Sequence, residues 1–272
     1  MNPNKALWEK GDFTRIAAGM RESGEQLVRQ AGITPGMQVL DLGCGDGTTA
    51  IPAARLGARV LGVDIAANLV AAGNRRAADQ GVAGHCSFVE GDACDLAGIE
   101  NGSFDRVISI FGAMFAPRPF DVAREMVRVT RHGGQIVMGN WIPGDPTLVA
   151  QILKISAAYS PPPPDGFVSP MTWGMTTHVI ERFGAAGIAW EAIRCERDSY
   201  VFDFEAPPAD VVDTFRSYYG PTMNAFEAAA RDGRSDALRG ELVRLFETQN
   251  QRGALGSTRI PATFLRVTVE VG

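Results

Sequence analysis

This chain is poor in the residue types that build metal centres, disulfide frameworks and nucleic-acid grips. Its 272 residues include only four cysteines and three histidines. Cys44, Cys86, Cys94 and Cys195 form no C-x-x-C pair, and neither cysteine nor histidine recurs at ligand spacing, so no metal site is expected. The cysteines read as reduced, buried small residues of a cytoplasmic protein. Basic residues are in deficit, 26 Lys and Arg against 31 Asp and Glu, for a net charge of −5. Nucleic-acid binders carry a basic stripe. Here only the Arg75-Arg76 pair stands out, so no nucleic-acid partner is expected. No apolar run reaches the roughly 18 residues of a membrane span, and residues 1–10 lack the apolar centre of a secretory signal. No membrane contact is expected. A G-x-S-x-G elbow is missing as well, which leaves a Ser-His-Asp set unsupported. The length fits one domain with insertions, or a domain plus a small cap.

What the chain does have is a glycine turn after a buried strand. Val39 to Leu42 is a short apolar run holding one acid, with Pro35-Gly36 before it and Gly43-Cys44-Gly45-Asp46-Gly47 after it. Glycine at such a turn reaches positive φ and lets a ligand approach the main chain. Thr48 and Thr49 sit where a helix would start, and Pro52 lies near its first turn. Arg59 to Asp64 reads as a second strand ending in an acid. Asp64 falls about 20 residues past the first glycine, where βαβ folds place an acid on a ribose. Ser87 to Ala93 reads as a third strand with Asp92 near its end. Asp92 suits the adenine amino group, and the Ala93 N–H a ring nitrogen. Phe104 to Phe111 reads as a fourth strand whose tip, Ser109 to Phe111, faces the same crevice.

Two features choose among adenosine ligands. The dinucleotide fingerprint G-x-G-x-x-G needs a third glycine where Thr48 stands. Asp41, two residues before the first glycine, is expected close to the ligand, where it would repel a pyrophosphate and attract a cation. S-adenosylmethionine carries an ammonium and a sulfonium and no phosphate, so it is favoured over NAD.

Five βα steps fit residues 36–141: strands near 38–42, 59–64, 86–91, 104–111 and 135–141, with helices near 48–56, 67–80 and 118–130. Right-handed crossovers place the helices on both faces of the sheet. Residues 189–204 read as a long strand or a bent pair. Phe264 to Glu270 alternates cleanly and reads as an antiparallel closing strand. The expected fold is α/β: a Rossmann-like, doubly wound, mostly parallel seven-stranded sheet with an antiparallel closing strand and helical lid insertions. Residues 1–35 are expected as a helical cover over the open end of the sheet, and 142–187 as a lid and substrate insertion. Residues 188–272 would complete the sheet around a helical insertion at 205–260. Helices are expected at 148–158, 176–183 with Thr176 or Thr177 as cap, 208–219 and 236–250.

These residues resemble the class I S-adenosylmethionine-dependent methyltransferases, in particular the UbiE-like small-molecule branch. Val39 to Gly47 resembles that family's first motif, Leu61 to Asp64 its second, Gly91-Asp92-Ala93 its third, and Phe104 to Val107 its fourth-strand motif. Arg131-His132-Gly133-Gly134 is similar to its turn into strand five, with histidine in place of proline. A bacterial subgroup shares three further elements: the opening Trp8 to Phe13, the segment Pro161 to Gly174, and Tyr218 to Thr222. The resemblance implies S-adenosylmethionine as cofactor, S-adenosylhomocysteine as product, and Trp8, Phe13, Asp41, Gly43, Cys44, Gly45, Asp64, Ile65, Asp92, Ala93, Ile110 and Phe111 around it. Met114, Phe115, Trp141, Trp173 and Tyr218 are candidates for a substrate pocket, which such residues would make apolar or aromatic.

Methyl transfer from a sulfonium is an in-line displacement, and positioning alone can supply roughly 7–11 kcal/mol. A base is needed only when the nucleophile carries a proton of high pKa. His85 precedes the third strand at the wrong end, and His132 lies in a turn. His178, Tyr218 and Tyr219 are the remaining catalytic candidates. The expected activity is methyl transfer to an O, N or C nucleophile of a small, largely apolar metabolite by a monomer or homodimer. The alternative is a protein of the same fold that binds the cofactor for other chemistry or for regulation. A nicotinamide oxidoreductase is disfavoured by Thr48 and Asp41, and an RNA methyltransferase by acidity.

Overall fold

In a computed structural model of the chain, describing residues 2, 4–253 and 256–272, a seven-stranded sheet is flanked by helices. The chain opens with α1 (Asn4–Glu9), α2 (Thr14–Ala17) and α3 (Arg21–Gln30), followed by β1 (Gln38–Leu42), α4 (Ala50–Arg55), β2 (Arg59–Asp64), α5 (Ala67–Asp79) and β3 (Cys86–Glu90). β4 (Phe104–Ile110), α6 (Pro119–Val129) and β5 (Thr130–Trp141) complete the parallel core. The remainder supplies α7 (Leu148–Ala157), α8 (Thr176–Ala185), β6 (Ile193–Phe204), α9 (Pro208–Tyr218), α10 (Gly220–Arg231), α11 (Ser235–Gln249) and β7 (Thr258–Val271).

Strand order is β3-β2-β1-β4-β5-β7-β6, with β7 antiparallel to both of its neighbours. The order reverses between β1 and β4, which opens a crevice outside their carboxyl ends. β1 is buried from Val39 to Leu42, as a central strand covered on both faces must be. β7 runs for 14 residues because its alternation continues upstream of Phe264 as far as Thr258. Pro119 opens α6 in the first turn, where its missing N–H costs nothing.

Of the two readings of residues 189–204, the single strand is the one observed, with a short 3₁₀ turn before it. Other local expectations are corrected. A helix absent from the sequence reading, α10, fills residues 220–231, and Gly220-Pro221 opens it directly after α9. Neither Thr176 nor Thr177 caps α8. Met175 holds the cap position without a side-chain bond, while Ser169 caps the preceding 3₁₀ turn by accepting from the Met171 N–H. The N-terminal cover is divided. α1 lies across the crevice, whereas the turn at Ala18–Met20 and α3 pack on the sheet against β6 and α4. The 142–187 insertion is divided too: α7 packs with α11, and α8 lies against α6.

Candidate active site

The glycine turn and the turn after β4 touch through their backbones. A Cβ on Gly43 would stand 2.6 Å from the Gly112 Cα, and one on Gly112 would stand 2.3 Å from the Gly43 carbonyl oxygen. Gly43 has φ of +70° and its N–H bonds the Val63 carbonyl at 2.7 Å, so the chain turns directly over the end of β2. Ser109 ties the same corner, donating to the Leu42 carbonyl at 2.6 Å and accepting from the Ala113 N–H at 2.9 Å. Gly45, at φ +55°, differs. A Cβ there would meet only a Phe13 ring carbon at 4.0 Å, so this glycine faces open crevice.

Asp64 stands at the tip of β2, 8% exposed and lining the crevice. One carboxylate oxygen accepts from the Gly45 N–H at 2.8 Å, the other from the Ala66 N–H at 2.9 Å. Burial raises its pKa, and these N–H donors oppose the rise. Each oxygen keeps lone-pair capacity for a ribose hydroxyl. Asp92 also lines the crevice, and one of its oxygens accepts from the Cys94 N–H at 2.9 Å and the Asn2 amide at 3.1 Å. Cys44, Ile65, Ala93, Ile110, Phe111, Trp8 and Phe13 line the same space.

Asp41 does not line it. Its side chain is 1% exposed and points behind the glycine turn, where it accepts from the Thr49 hydroxyl at 2.5 Å. Burial pushes its pKa up to about 7 despite that bond and one from the Ala50 N–H, and its second oxygen has no partner. The cation-attracting role expected of Asp41 is corrected: the residue anchors the start of α4. Asp46, which the sequence reading left unassigned, is held by Arg21 at 2.8 Å and Arg76 at 3.4 Å. Cys44 and Cys86 are buried thiols with pKa raised by desolvation, and Cys86 reaches about 12, which makes both inert at neutral pH.

Phe111 is, among the described residues, the only non-glycine residue with positive φ, at 62°. Such a conformation survives where surroundings over-determine it. Its ring stacks on Trp141 at 3.7 Å and 9° and meets Tyr200 edge-on at 5.0 Å. Phe111 separates the crevice from a second cavity of about 50 Å³ and lines both, as do Trp8, Phe13, Met20 and Phe115. Trp141, Phe202, Phe215 and Tyr219 close this chamber with Val149, Ile152 and Leu153 of α7. Trp8 stands 5.0 Å from Phe115 and 6.0 Å from Tyr219, ring to ring. Tyr219 is the chamber's one ionisable lining residue, and burial raises its pKa.

The remaining candidates lie elsewhere. Met114 is fully buried outside both cavities. Trp173 is buried under Arg182, whose guanidinium stands 4.5 Å above its ring. His178 is exposed on α8 and pairs with Glu181 at 3.3 Å. Tyr218 is 38% exposed and faces Arg15. The split between the two tyrosines falls at the end of α9: Tyr218 is its last residue, and Tyr219, with an extended backbone, is the one that reaches the chamber. Sequence reasoning missed Met20, Tyr200, Phe202, Phe215, Val149 and Ile152. They come from four separate segments, and nothing in the sequence marks them apart from ordinary core residues.

A methyltransferase domain model matches residues 40–138, the stretch from β1 into β5. An uncharacterized protein of Mycobacterium tuberculosis is 34% identical over 228 residues, covering 84% of this chain and 80% of its own. The chain belongs to the class I S-adenosylmethionine-dependent methyltransferases. A demethylmenaquinone methyltransferase of Renibacterium salmoninarum is 34% identical over 127 residues, 46% of this chain and 51% of that one. The solved YcgJ protein of Bacillus subtilis shares the fold, with a TM-score of 0.58 at 19% identity over 92% of this chain and 99% of its own. S-adenosylmethionine is this methyltransferase's cofactor, and the crevice suits it. Among the described residues that line it there is no Lys, Arg or His to pair with a pyrophosphate, while Asp64 and Asp92 offer acceptors to a cationic nucleoside. Among the described residues no helix is long and apolar enough to cross a membrane.

Proposed function

We propose that this enzyme methylates a small, largely apolar acceptor seated in the aromatic chamber. One observation carries the reading: the chamber shares Trp8, Phe13, Met20, Phe111 and Phe115 with the crevice, and among the described residues that line it there is no carboxylate, histidine or lysine. A sugar-like or multiply charged acceptor would lose its hydration there without recovering hydrogen bonds. The cofactor, when bound, supplies an electrophilic methyl group. Asp64 and the glycine turn orient the nucleoside end, and Asp92 with the Ala93 N–H reads the adenine. Phe111, fixed by its stack on Trp141, sets the boundary that the methyl group must cross. The rings exclude water, which favours a transfer in which charge is dispersed.

The chamber offers no base of ordinary pKa, so the acceptor arrives with its nucleophile already free: a thiolate or acidic phenolate, an amine, or an electron-rich carbon. Tyr219 remains protonated and orients the acceptor through its hydroxyl. Membership of the UbiE-like branch is supported by the partial match to the demethylmenaquinone methyltransferase, whose name gives demethylmenaquinone as its acceptor. The test is methyl transfer from labelled S-adenosylmethionine to a panel of apolar phenols, quinols, thiols and amines, with sugars and nucleotides as controls. Label in the polar controls alone would overturn the reading.

A further inference from the structure

A second groove, of about 270 Å³, lies at the opposite end of the sheet from the crevice. Its floor is one face of four strands: Arg106 on β4, Gln135 on β5, Arg266 on β7, and Arg194 with Glu196 on β6. Registers fix that shared face, because Arg106 pairs with Gln135, Arg194 with Thr268 and Glu196 with Arg266. The end of α3, Leu27 to Gly32, forms the wall.

The charges in this groove do not cancel locally. Arg106 has no carboxylate within ion-pair distance among the described residues. It donates to the Gln135 side-chain oxygen and, at 3.5 Å, to the Gly32 carbonyl. Of the acids beside it, Asp105 pairs with Arg131 at 2.6 Å, and Glu270 accepts from the Gln135 amide at 2.5 Å. Arg194 makes no side-chain hydrogen bond or ion pair among the described residues, and Glu196 makes none either. Only Arg266 has a carboxylate partner, Asp198. The Nε atoms of Arg106 and Arg266 are shut off from solvent with no acceptor. A solvated ladder of alternating charges would leave those atoms in water, whereas here they are dry and unmet. A dry Nε adds to the cost of holding each charge, and Arg106, unlike Arg266, has no carboxylate on its fork to offset it.

We infer that this groove is a second binding site, for a small metabolite bearing at least two oxyanion charges, carried by phosphate or carboxylate groups. β4 and β6 stand three strand spacings apart, roughly 14 Å at about 4.8 Å each. Arg106 and Arg194 therefore approach a ligand from opposite sides, which suits an anion with two charged ends better than a single one. The planar fork of arginine matches both oxyanion types. The site shares no residue with the crevice and stands whether or not the acceptor is apolar.

The test is calorimetric titration of the full-length protein with pyrophosphate and with citrate, at low and at physiological salt, beside inorganic phosphate and chloride. S-adenosylhomocysteine is titrated in parallel. Saturable binding of pyrophosphate or citrate, weakened by salt, is expected, and the tighter of the two identifies the ligand's chemistry. Arg106→Gln with Arg194→Gln should weaken that binding by about tenfold or more and leave S-adenosylhomocysteine affinity unchanged. Should the double variant fail to fold, Arg194→Gln alone, at an exposed position, should still weaken it several-fold. No saturable binding of either multivalent anion, or equal binding by the variants, overturns the inference.

Discussion

The wall of the cleft built from β1, β2 and β3 brings Asp64 and Asp92 to the crevice, holds Asp41 behind the glycine turn, and ties Asp46, at the crevice edge, to Arg21 and Arg76. The facing chamber, built from α1, β6, α7, α9 and the strand tips, offers rings and branched aliphatics, and its one ionisable lining residue is a tyrosine. The first wall offers backbone N–H groups and carboxylates held in place by hydrogen bonds. The second recognises through shape and the exclusion of water. A fixed cofactor and a variable acceptor call for these two kinds of surface, and the contrast says where a substitution should separate cofactor binding from turnover.

The sharpest break in that contrast is Asp64→Ala. It removes the acceptors proposed for two ribose hydroxyls and also frees the Gly45 and Ala66 N–H groups that shape the turn. A hydrogen bond to a charged group contributes about 1.5–3 kcal/mol, so loss of two weakens S-adenosylhomocysteine binding by roughly a hundredfold or more. Calorimetry reads this directly. Equal affinity in the variant would take Asp64 off the ribose.

Asp41 probes the same wall from behind. Burial raises its pKa to about 7 in the folded protein, against the 3.8 of an ordinary aspartate. Between those values the native state holds more protons than the unfolded one, so stability falls as pH rises through the window. At about 1.4 kcal/mol per pH unit the penalty approaches roughly 4 kcal/mol above pH 7. Asp41→Asn should flatten that slope, nearly matching wild type in the acid range and melting higher at alkaline pH. Thermal unfolding at acid and alkaline pH decides it, and parallel slopes in the two proteins would show that Asp41 titrates as an ordinary acid.

The two walls also differ in how far the sequence reveals them. Gly43, Gly45, Asp64 and Asp92 sit at strand ends and at fixed distances along βα units, so chain spacing translates directly into spatial position. The strand order and the closing strand follow from the same regularity. Asp41 was misplaced because spacing fixes where a residue lies along a strand, while the face it points to is decided by what packs there, here Thr49 at the start of α4. The chamber was barely legible. Phe111 lines it because a strained backbone turns the ring under Trp141, and Phe202, Phe215 and Val149 arrive from segments far apart in sequence. Trp173 and Tyr218 have the composition of pocket residues but pack against Arg182 and face solvent.

On the chamber side, Val149→Phe places a phenyl ring in a space of about 50 Å³. Val149 lines the chamber and not the crevice. Acceptor methylation should drop by about tenfold or more while S-adenosylhomocysteine affinity holds, and overpacking should cost about 1–3 kcal/mol of stability. Loss of cofactor affinity in this variant would mean that the two cavities are not separable.

Tyr219→Phe should have the smallest effect and makes the finest distinction. The change keeps the ring against Trp8, Phe13 and Phe215 and deletes the lone hydroxyl. If that hydroxyl orients the acceptor by one neutral hydrogen bond, about 0.5–1.5 kcal/mol is lost, seen as a several-fold rise in the acceptor's KM with S-adenosylhomocysteine affinity unchanged. Because burial holds the phenol above its ordinary pKa, it stays protonated across the working range, and the pH profile of kcat should keep its shape. A collapse of kcat together with the loss of one limb of that profile would make Tyr219 a base. The chamber would then be more than a positioning surface, and the contrast between the two walls would fail at the residue where it is most exposed to test.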